Sequence, residues 1–223
     1  MGKCIIMGAG EFCNEQIIDK KSLTLDKEDF CIAADGGFAY LQAIGITPHL
    51  LIGDMDSLEI QLPEENDTIS SRSLAIKKLP AEKDDTDMLA AVKEGLARGY
   101  QEFALYGALG GRMDHTFANI QCLHYLLNRG ARGVLYGIGI QILLLQRGSI
   151  VFPASMYREN RRISVFAYGG DAYGVTEQGL KYTLDKAWLK QEFPIGVSNE
   201  FTNQESTITV EEGMLLICVE DFL

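Results

Sequence analysis

Glu102-Phe103-Ala104-Leu105-Tyr106-Gly107-Ala108-Leu109-Gly110-Gly111-Arg112-Met113-Asp114-His115 decides the fold class of this 223-residue chain. An apolar run that reads as a buried strand passes through a glycine-rich loop straight into a helical pattern. From about His115 to Arg129, Phe117, Ile120, Leu123 and Leu127 recur at helical spacing, and Gly130 stops the helix. The same alternation extends outward from this stretch. Lys3 to Met7 is an apolar run followed by a Gly-Ala-Gly turn. Phe30 to Ala34 is another, ending at Asp35-Gly36-Gly37, after which Phe38, Leu41 and Ile44 mark a helix closed by Gly45. Leu50-Leu51-Ile52 leads into Gly53-Asp54-Met55-Asp56-Ser57. Thr86 to Arg98 carries Leu89, Val92 and Leu96 on one face, with cap residues at its start and Arg98-Gly99 at its end. Strands alternating with helices of this length predict a mostly parallel sheet with helices on its faces, and ligands bind beyond the carboxyl ends of such strands.

Beyond about Leu135 the character changes. Ile140 to Leu145, Ser149 to Phe152, Arg162 to Tyr168, Gly179 to Leu184, Glu205 to Val210 and Met214 to Val219 read as short strands. Gly148, Gly169-Gly170, Gly174 and Glu212-Gly213 punctuate them. The pattern predicts an antiparallel sandwich or barrel. Two domains are expected, residues 1–136 and 137–223.

A net charge of −11 argues against nucleic acid or an anionic membrane as partner, because both require a basic footprint. No apolar run reaches the roughly 18 residues of a membrane span, and the first apolar stretch is too short for a signal peptide. The five cysteines show no C-x-x-C pair and fit reduced thiols acting as small core hydrophobes in a cytoplasmic protein. With only His49, His115 and His124 present, a zinc site is not expected. His49 and His124 read as structural, and Trp188 as a core or interface aromatic.

Acidic blocks at the ends of these strands carry the chemistry. They are Gly53-Asp54-Met55-Asp56-Ser57, Lys83-Asp84-Asp85-Thr86-Asp87 and Gly110-Gly111-Arg112-Met113-Asp114-His115. Two like charges about 4 Å apart repel by about 4 kcal/mol at an effective dielectric near 20, and a hard divalent cation relieves this best. Asp54 and Asp56, two apart on a continuing strand, would share a face at a separation of roughly 6.6 Å. Asp84 and Asp87, three apart at a helix start, would share another, with Asp85 pointing elsewhere. Local roles compete with this reading, since aspartates favour Asx-turns and helix N-termini. Four carboxylates converging beyond one sheet edge exceed what capping requires. Gly107 to Arg112 exposes backbone N–H groups to a phosphate, and Arg112 adds a bidentate donor. Asp114 and His115 have two open readings, orienting a substrate or capping the following helix. The Walker A pattern is absent, and Gly8-Ala9-Gly10-Glu11-Phe12-Cys13 does not complete G-x-G-x-x-G, so that loop reads as a plain strand–helix turn. No Ser-His-Asp order or G-x-S-x-G elbow competes with a cation-assisted phosphoryl or nucleotidyl chemistry.

In their order and spacing these blocks, with Ala34-Asp35-Gly36-Gly37, Gly179-Leu180-Lys181-Tyr182 and Gly196-Val197-Ser198-Asn199, closely resemble the thiamine pyrophosphokinase family. The resemblance covers nearly the whole chain. It implies an N-terminal Rossmann-like α/β domain binding ATP and Mg²⁺, a C-terminal β-sandwich binding thiamine, and a homodimer with active sites between subunits. It implies transfer of pyrophosphate from ATP to the thiamine hydroxyl, giving thiamine diphosphate and AMP. On that resemblance Asp54, Asp56, Asp84 and Asp87 hold Mg²⁺ and the ATP phosphates. Asp35, Gly36, Gly37 and Arg112 lie near nucleotide or phosphate, and Ser198 and Asn199 meet thiamine. Tyr182 stands where some members carry Trp, so no stacking role is carried over. An aspartate, Asp87 or Asp114, is the candidate general base. The rival readings are a metal-dependent nucleotide phosphohydrolase, a D-x-D nucleotide-sugar transferase and a non-enzymatic nucleotide-sensing domain.

Overall fold

The computed structural model describes residues 2–11, 23–54, 74–80 and 84–221. They divide into two compact units, with the division between Ile138 and Gly139.

In the first unit, β1 (Cys4–Met7), β2 (Phe30–Ala34), β3 (Leu50–Gly53), β4 (Ala75–Lys78), β5 (Glu102–Tyr106) and β6 (Arg132–Gly137) form a sheet. Their order is β6-β5-β1-β2-β3-β4, and every neighbouring pair is parallel. The chain therefore builds outward from β1 to β4, then returns to the other side of β1 for β5 and β6. That reversal leaves a crevice at the carboxyl edge beside β1, where open α/β sheets take ligands. β1 and β3 are buried at every residue, as strands covered on both faces must be.

Three helices supply the cover: α1 (Gly37–Ala43), α2 (Asp87–Ala97) and α3 (Met113–Leu127). Phe38 and Leu41 of α1 join Ile5, Met7, Cys31, Ala33, Leu51 and Ala104 in one core. The opposite face, bearing Cys4 and Phe103, receives α2 so closely that a Cβ on Gly95 would lie 2.6 Å from both side chains. The predicted stops hold, with Gly45 and Gly130 both at φ +73°. The helix faces differ from the expected ones. α2 buries Met88, Ala91, Val92 and Gly95 rather than Leu89 and Leu96. Phe117 of α3 is 63% exposed, while Ile120, Cys122, Leu123 and Leu126 are buried. β4 is an exposed edge strand that the sequence does not announce. Its Lys77 pairs with Glu94 of α2 at 2.7 Å.

The second unit is antiparallel apart from one 3-10 turn at Ala154–Met156. Its strands are β7 (Ile140–Phe152), β8 (Arg161–Ala167), β9 (Ala172–Gln178), β10 (Leu184–Leu189), β11 (Asn199–Glu200) and β12 (Ser206–Asp221). β12 pairs with β7 along most of its length and changes its other neighbour midway. Thr207 to Glu212 pair with β9, and Leu215 to Asp221 pair with β8. The change falls at Gly213, with φ +92°. Where β8 starts and β12 ends, Arg161 grips Asp221 through two bonds of 2.6 Å. Two corrections follow. The paired runs 140–145 with 149–152, and 205–210 with 214–219, are single long strands. Gly179 to Thr183 is no strand, because Leu180 makes only an isolated bridge to Phe201 while Thr202 and Ser206 hydroxyls donate to the Gly179 carbonyl, and Leu184 already belongs to β10.

Candidate active site

At the carboxyl edge of the parallel sheet lies a cavity of about 440 Å³. Its walls are Gly8 to Glu11 after β1, Ala34 and Asp35 after β2, Thr86 to Met88 at the start of α2, and the loop after β5 with Arg112. Tyr40 of α1 and His115 and Asn119 of α3 complete it. The two glycine loops are laced together beyond the last ladder bonds. Gly10 N–H donates to the Gly107 carbonyl at 2.8 Å, and Glu11 N–H to the Leu109 carbonyl at 3.0 Å. Gly107, at φ +57°, comes so close that a Cβ there would sit 2.3 Å from the Gly8 carbonyl oxygen. The buried Asn119 side chain pins the β5 loop by donating to the Ala108 carbonyl at 2.7 Å. The Gly8-to-Glu11 turn, expected to be a plain connection, is thus part of the cavity wall.

A carboxylate already sits on this loop. Glu11 Oε1 accepts from Gly111 N–H at 3.1 Å. The backbone therefore presents an anion-accepting group here, as strand–glycine–helix loops do for phosphates.

The predicted site residues separate into groups. Asp35, Asp87 and Arg112 line the cavity, whereas Asp54, Asp84, Asp114, Gly36 and Gly37 are not among its lining residues. Asp35 and Asp54 nevertheless follow adjacent strands, and Asp35 N–H donates to the Ile52 carbonyl at 2.7 Å. Asp56 lies outside the described residues. α2 is capped by Thr86, whose Oγ1 accepts from Leu89 N–H at 3.1 Å, so neither Asp84 nor Asp87 is needed as the cap. Asp84 precedes the helix, so the expected i,i+3 face shared with Asp87 does not form. Asp85 points away, as predicted, to Lys93 at 2.6 Å. Arg112 holds Asp114 through two hydrogen bonds, and this guanidinium keeps the Asp114 carboxyl below the usual carboxylate range. Arg112 holds the N-cap position of α3, but Asp114, in the first turn, still serves the helix start, its Oδ1 accepting from the His115 N–H at 3.0 Å. Among the described residues, no three His, Cys, Asp or Glu side chains gather as a metal-binding group.

Other nucleophiles are quiet. Burial pushes the Cys31 thiol up to about 12 and the Cys122 thiol up to about 11. His49 is structural, as read: its Nδ1 accepts from Cys31 N–H at 2.9 Å and its ring stacks on Phe30. In the second unit, Ser198 adopts φ +60° and its N–H donates to Ser164 Oγ at 3.0 Å. Asn199 is buried with its amide fully engaged in protein contacts. Trp188 is 52% exposed rather than core, stacked on Tyr173 with its indole N–H donating to Asp171 at 2.9 Å.

A parallel sheet with two interlaced glycine loops, an anion-accepting N–H and carboxylates at one edge defines a phosphate-handling α/β protein. Residues 22–135 match the family model of the thiamin pyrophosphokinase catalytic domain, and residues 149–215 that of its vitamin B1 binding domain. The chain belongs to the thiamin pyrophosphokinase family. It is 30% identical over 197 residues to the thiamine pyrophosphokinase of Bacillus subtilis (strain 168), covering 86% of this chain and 87% of that one. It is 29% identical over 180 residues to thiamine pyrophosphokinase 3 of Oryza sativa subsp. japonica, covering 76% of this chain and 64% of the plant protein. A crystal structure of the Bacillus subtilis thiamine pyrophosphokinase superposes with a TM-score of 0.81 at 25% identity, over 99% of this chain and all of the other. No helix among the described residues is long and apolar enough to cross a membrane.

Proposed function

We propose that this chain transfers the pyrophosphoryl group of ATP to the hydroxyethyl oxygen of thiamine, releasing AMP. The observation that carries this reading is the match of both family domains, in order, along one chain. In this reading residues 1–136 form a Rossmann-like domain for ATP and Mg²⁺, and residues 137–223 a β-sandwich for thiamine and dimerisation. Exposed apolar side chains in the second unit, Tyr173, Trp188, Phe193, Ile195 and Val197, support a homodimer. Free thiols at Cys4, Cys31, Cys122 and Cys218 suit the cytoplasm.

The attacking alcohol must reach the β-phosphorus in line while AMP departs, so positioning and charge neutralisation dominate. The Gly107-to-Gly111 backbone and Arg112 receive phosphate oxygens, with Asp114 orienting the guanidinium. The amino end of α2, whose dipole is positive, adds to that field. Gly36 and Gly37 bring the α1 start close to the nucleotide beside Asp35. The carboxylates available at this edge are oxygen donors of the kind a hard cation such as Mg²⁺ takes. Asp54, Asp56, Asp84 and Asp87 would hold the ion, which supplies neutralisation of charge on the phosphate oxygens. Of the two candidate bases, Asp87 suits the alcohol proton better, because Arg112 makes Asp114 a weaker base. Ser198 faces thiamine, and Asn199 shapes that segment from beneath.

Incubation with Mg-ATP, with and without thiamine, tests the reading by following AMP, ADP and free phosphate. AMP should form only when thiamine is present. Thiamine-independent phosphate release would favour a phosphohydrolase, and ATP binding without turnover a nucleotide-sensing domain.

Glu11 competes with the incoming phosphate for Gly111 N–H. Glu11→Gln is therefore expected to tighten ATP binding by about three- to tenfold, the effect of removing one nearby like charge at partial exposure. Calorimetric titration with ATP checks this, and an unchanged or weaker affinity would show that the carboxylate does not occupy the phosphate position.

A further inference from the structure

Glu177 is the one carboxylate buried almost completely in the interior of the described second unit, at 2% exposure. It lies on β9, whose inward-facing residues also include Val175, and its register partners are Leu184 of β10 and the fully buried Ile208 of β12. Desolvation pushes its carboxyl above the usual range. Oε2 accepts from Asn199 Nδ2 at 2.9 Å, while Oε1 has no hydrogen-bond partner among the described residues. A carboxyl in such surroundings is costly unless something requires its acceptor.

Asn199 shows what requires it. Its Oδ1 accepts from Tyr182 N–H at 3.0 Å and from Glu200 N–H at 2.9 Å. Its Nδ2 donates to the Tyr182 carbonyl at 2.7 Å as well as to Glu177. The backbone N–H and carbonyl of Tyr182 together fix which end of the amide is oxygen, and so direct Nδ2 toward Glu177. This one side chain clamps the Gly179-to-Tyr182 loop to the segment that follows Ser198. Ser198 itself holds the left-handed φ of +60°, which L side chains rarely adopt, with its N–H on Ser164 Oγ.

We propose that Glu177 is a positioning residue for acceptor binding: by accepting from Asn199 it locks the amide that holds Tyr182 and the Ser198 turn in place. The inference rests on the reading above that Ser198 faces thiamine. Glu177 touches no substrate. It acts through Asn199, and what it supplies is an acceptor atom rather than a charge.

Two replacements in the full chain separate these contributions. Glu177→Met fills a similar space without an acceptor and leaves one Asn199 Nδ2 proton unpaired, so a thermal melt accompanies its kinetics to check that the variant folds. Glu177→Gln keeps an acceptor and removes the charge. Glu177→Met is expected to raise the thiamine KM about tenfold, with kcat and the ATP KM within about twofold, since a ground-state positioning loss appears in KM. Hydrogen exchange at the Tyr182 and Glu200 amides should quicken in the same variant. Glu177→Gln should restore both properties toward wild type.

Ser198→Ala serves as the control on the underlying reading. If Ser198→Ala raises the thiamine KM while Glu177→Met changes neither KM nor exchange, the positioning role is overturned and the pocket stands. If Glu177→Met quickens exchange yet neither variant moves the thiamine KM, the assignment of the Ser198 segment to thiamine falls, and the functional role of Glu177 with it. Failure of Glu177→Gln to rescue would overturn the acceptor argument in favour of charge.

Discussion

Asp54→Asn is expected to lower turnover about a hundredfold at limiting Mg²⁺ while leaving the melting temperature unchanged or slightly higher. Asp54 directly follows β3, and Asp35 follows β2, its parallel neighbour in the sheet. Asp87 opens α2 at the same cavity that Asp35 lines. Asp35, Asp54 and Asp87 are like charges at one edge of the sheet, so removing one of them lessens what mutual repulsion they have in the absence of a cation. Asparagine has the same shape, and Asp54 is only half-buried, so no packing is lost. Function moves the other way. Under the proposed mechanism the ion is held by this set, and loss of one group that holds or orients a metal costs tenfold to a hundredfold or more. Raising Mg²⁺ should recover part of the rate, because weakened binding responds to mass action. Thiamine-dependent AMP release, measured across a Mg²⁺ titration beside thermal melts, checks both halves. Near-normal turnover at limiting Mg²⁺ would remove Asp54 from the metal set. A large fall in melting temperature would make it a structural residue.

How much of this was legible depends on what kind of signal each residue leaves. β1, β2, β3 and β5 read directly because both of their faces are covered, which forces uninterrupted apolar runs. β4 left no such run: all four of its residues are exposed, and Lys77 and Lys78 guard the edge. The helix faces shifted because large apolar residues are easy to see and small ones are not. α2 packs through Ala91 and Gly95, since the helix lies close enough to Cys4 and Phe103 to exclude anything bigger. In the second unit glycine misled in both directions. Gly148 and Gly213 interrupt the pattern without ending β7 or β12. The run after Gly179 looks extended but is held by the Asn199 side chain and the Glu200 carbonyl, while two hydroxyls donate to Gly179 itself. β9 and β10 escaped notice because Tyr173, Thr176, Glu177, Asp185 and Lys186 dilute their alternation. At the candidate site, Asp87 and Arg112 could be named from strand ends and spacing alone, whereas the role of Asp35 came with the family resemblance. Glu11 could not, because its partner Gly111 is distant in sequence and meets it only through the β1–β5 pairing. Glu177 likewise becomes informative only once Asn199 is seen beside it.

Gly37→Ala should be among the most damaging single substitutions in the first unit, costing about 3 kcal/mol or more of stability, the upper range for overpacking. Gly37 opens α1, and ordinary helix energetics would favour alanine there by roughly 0.5–1 kcal/mol. Space forbids it. A Cβ at this position would lie 2.0 Å from the Met7 carbonyl oxygen, 2.5 Å from its carbon and 3.0 Å from the Gly8 carbonyl oxygen. These are backbone atoms at the end of the central strand, so no side chain can swing aside, and α1 or the Gly8-to-Glu11 loop must move. Either shift displaces one wall of the cavity, so activity should fall together with stability. Gly36→Ala provides the contrast one residue earlier. There the nearest atom to a new Cβ is the Ala9 Cβ at 3.2 Å, a contact that a few tenths of an ångström relieve. Thermal and denaturant melts of the two variants separate the causes. If helix propensity governed, both would hold or gain stability. If close approach governs, only Gly37→Ala should collapse, and a Gly37→Ala protein melting like wild type would mean that α1 does not sit against the end of β1.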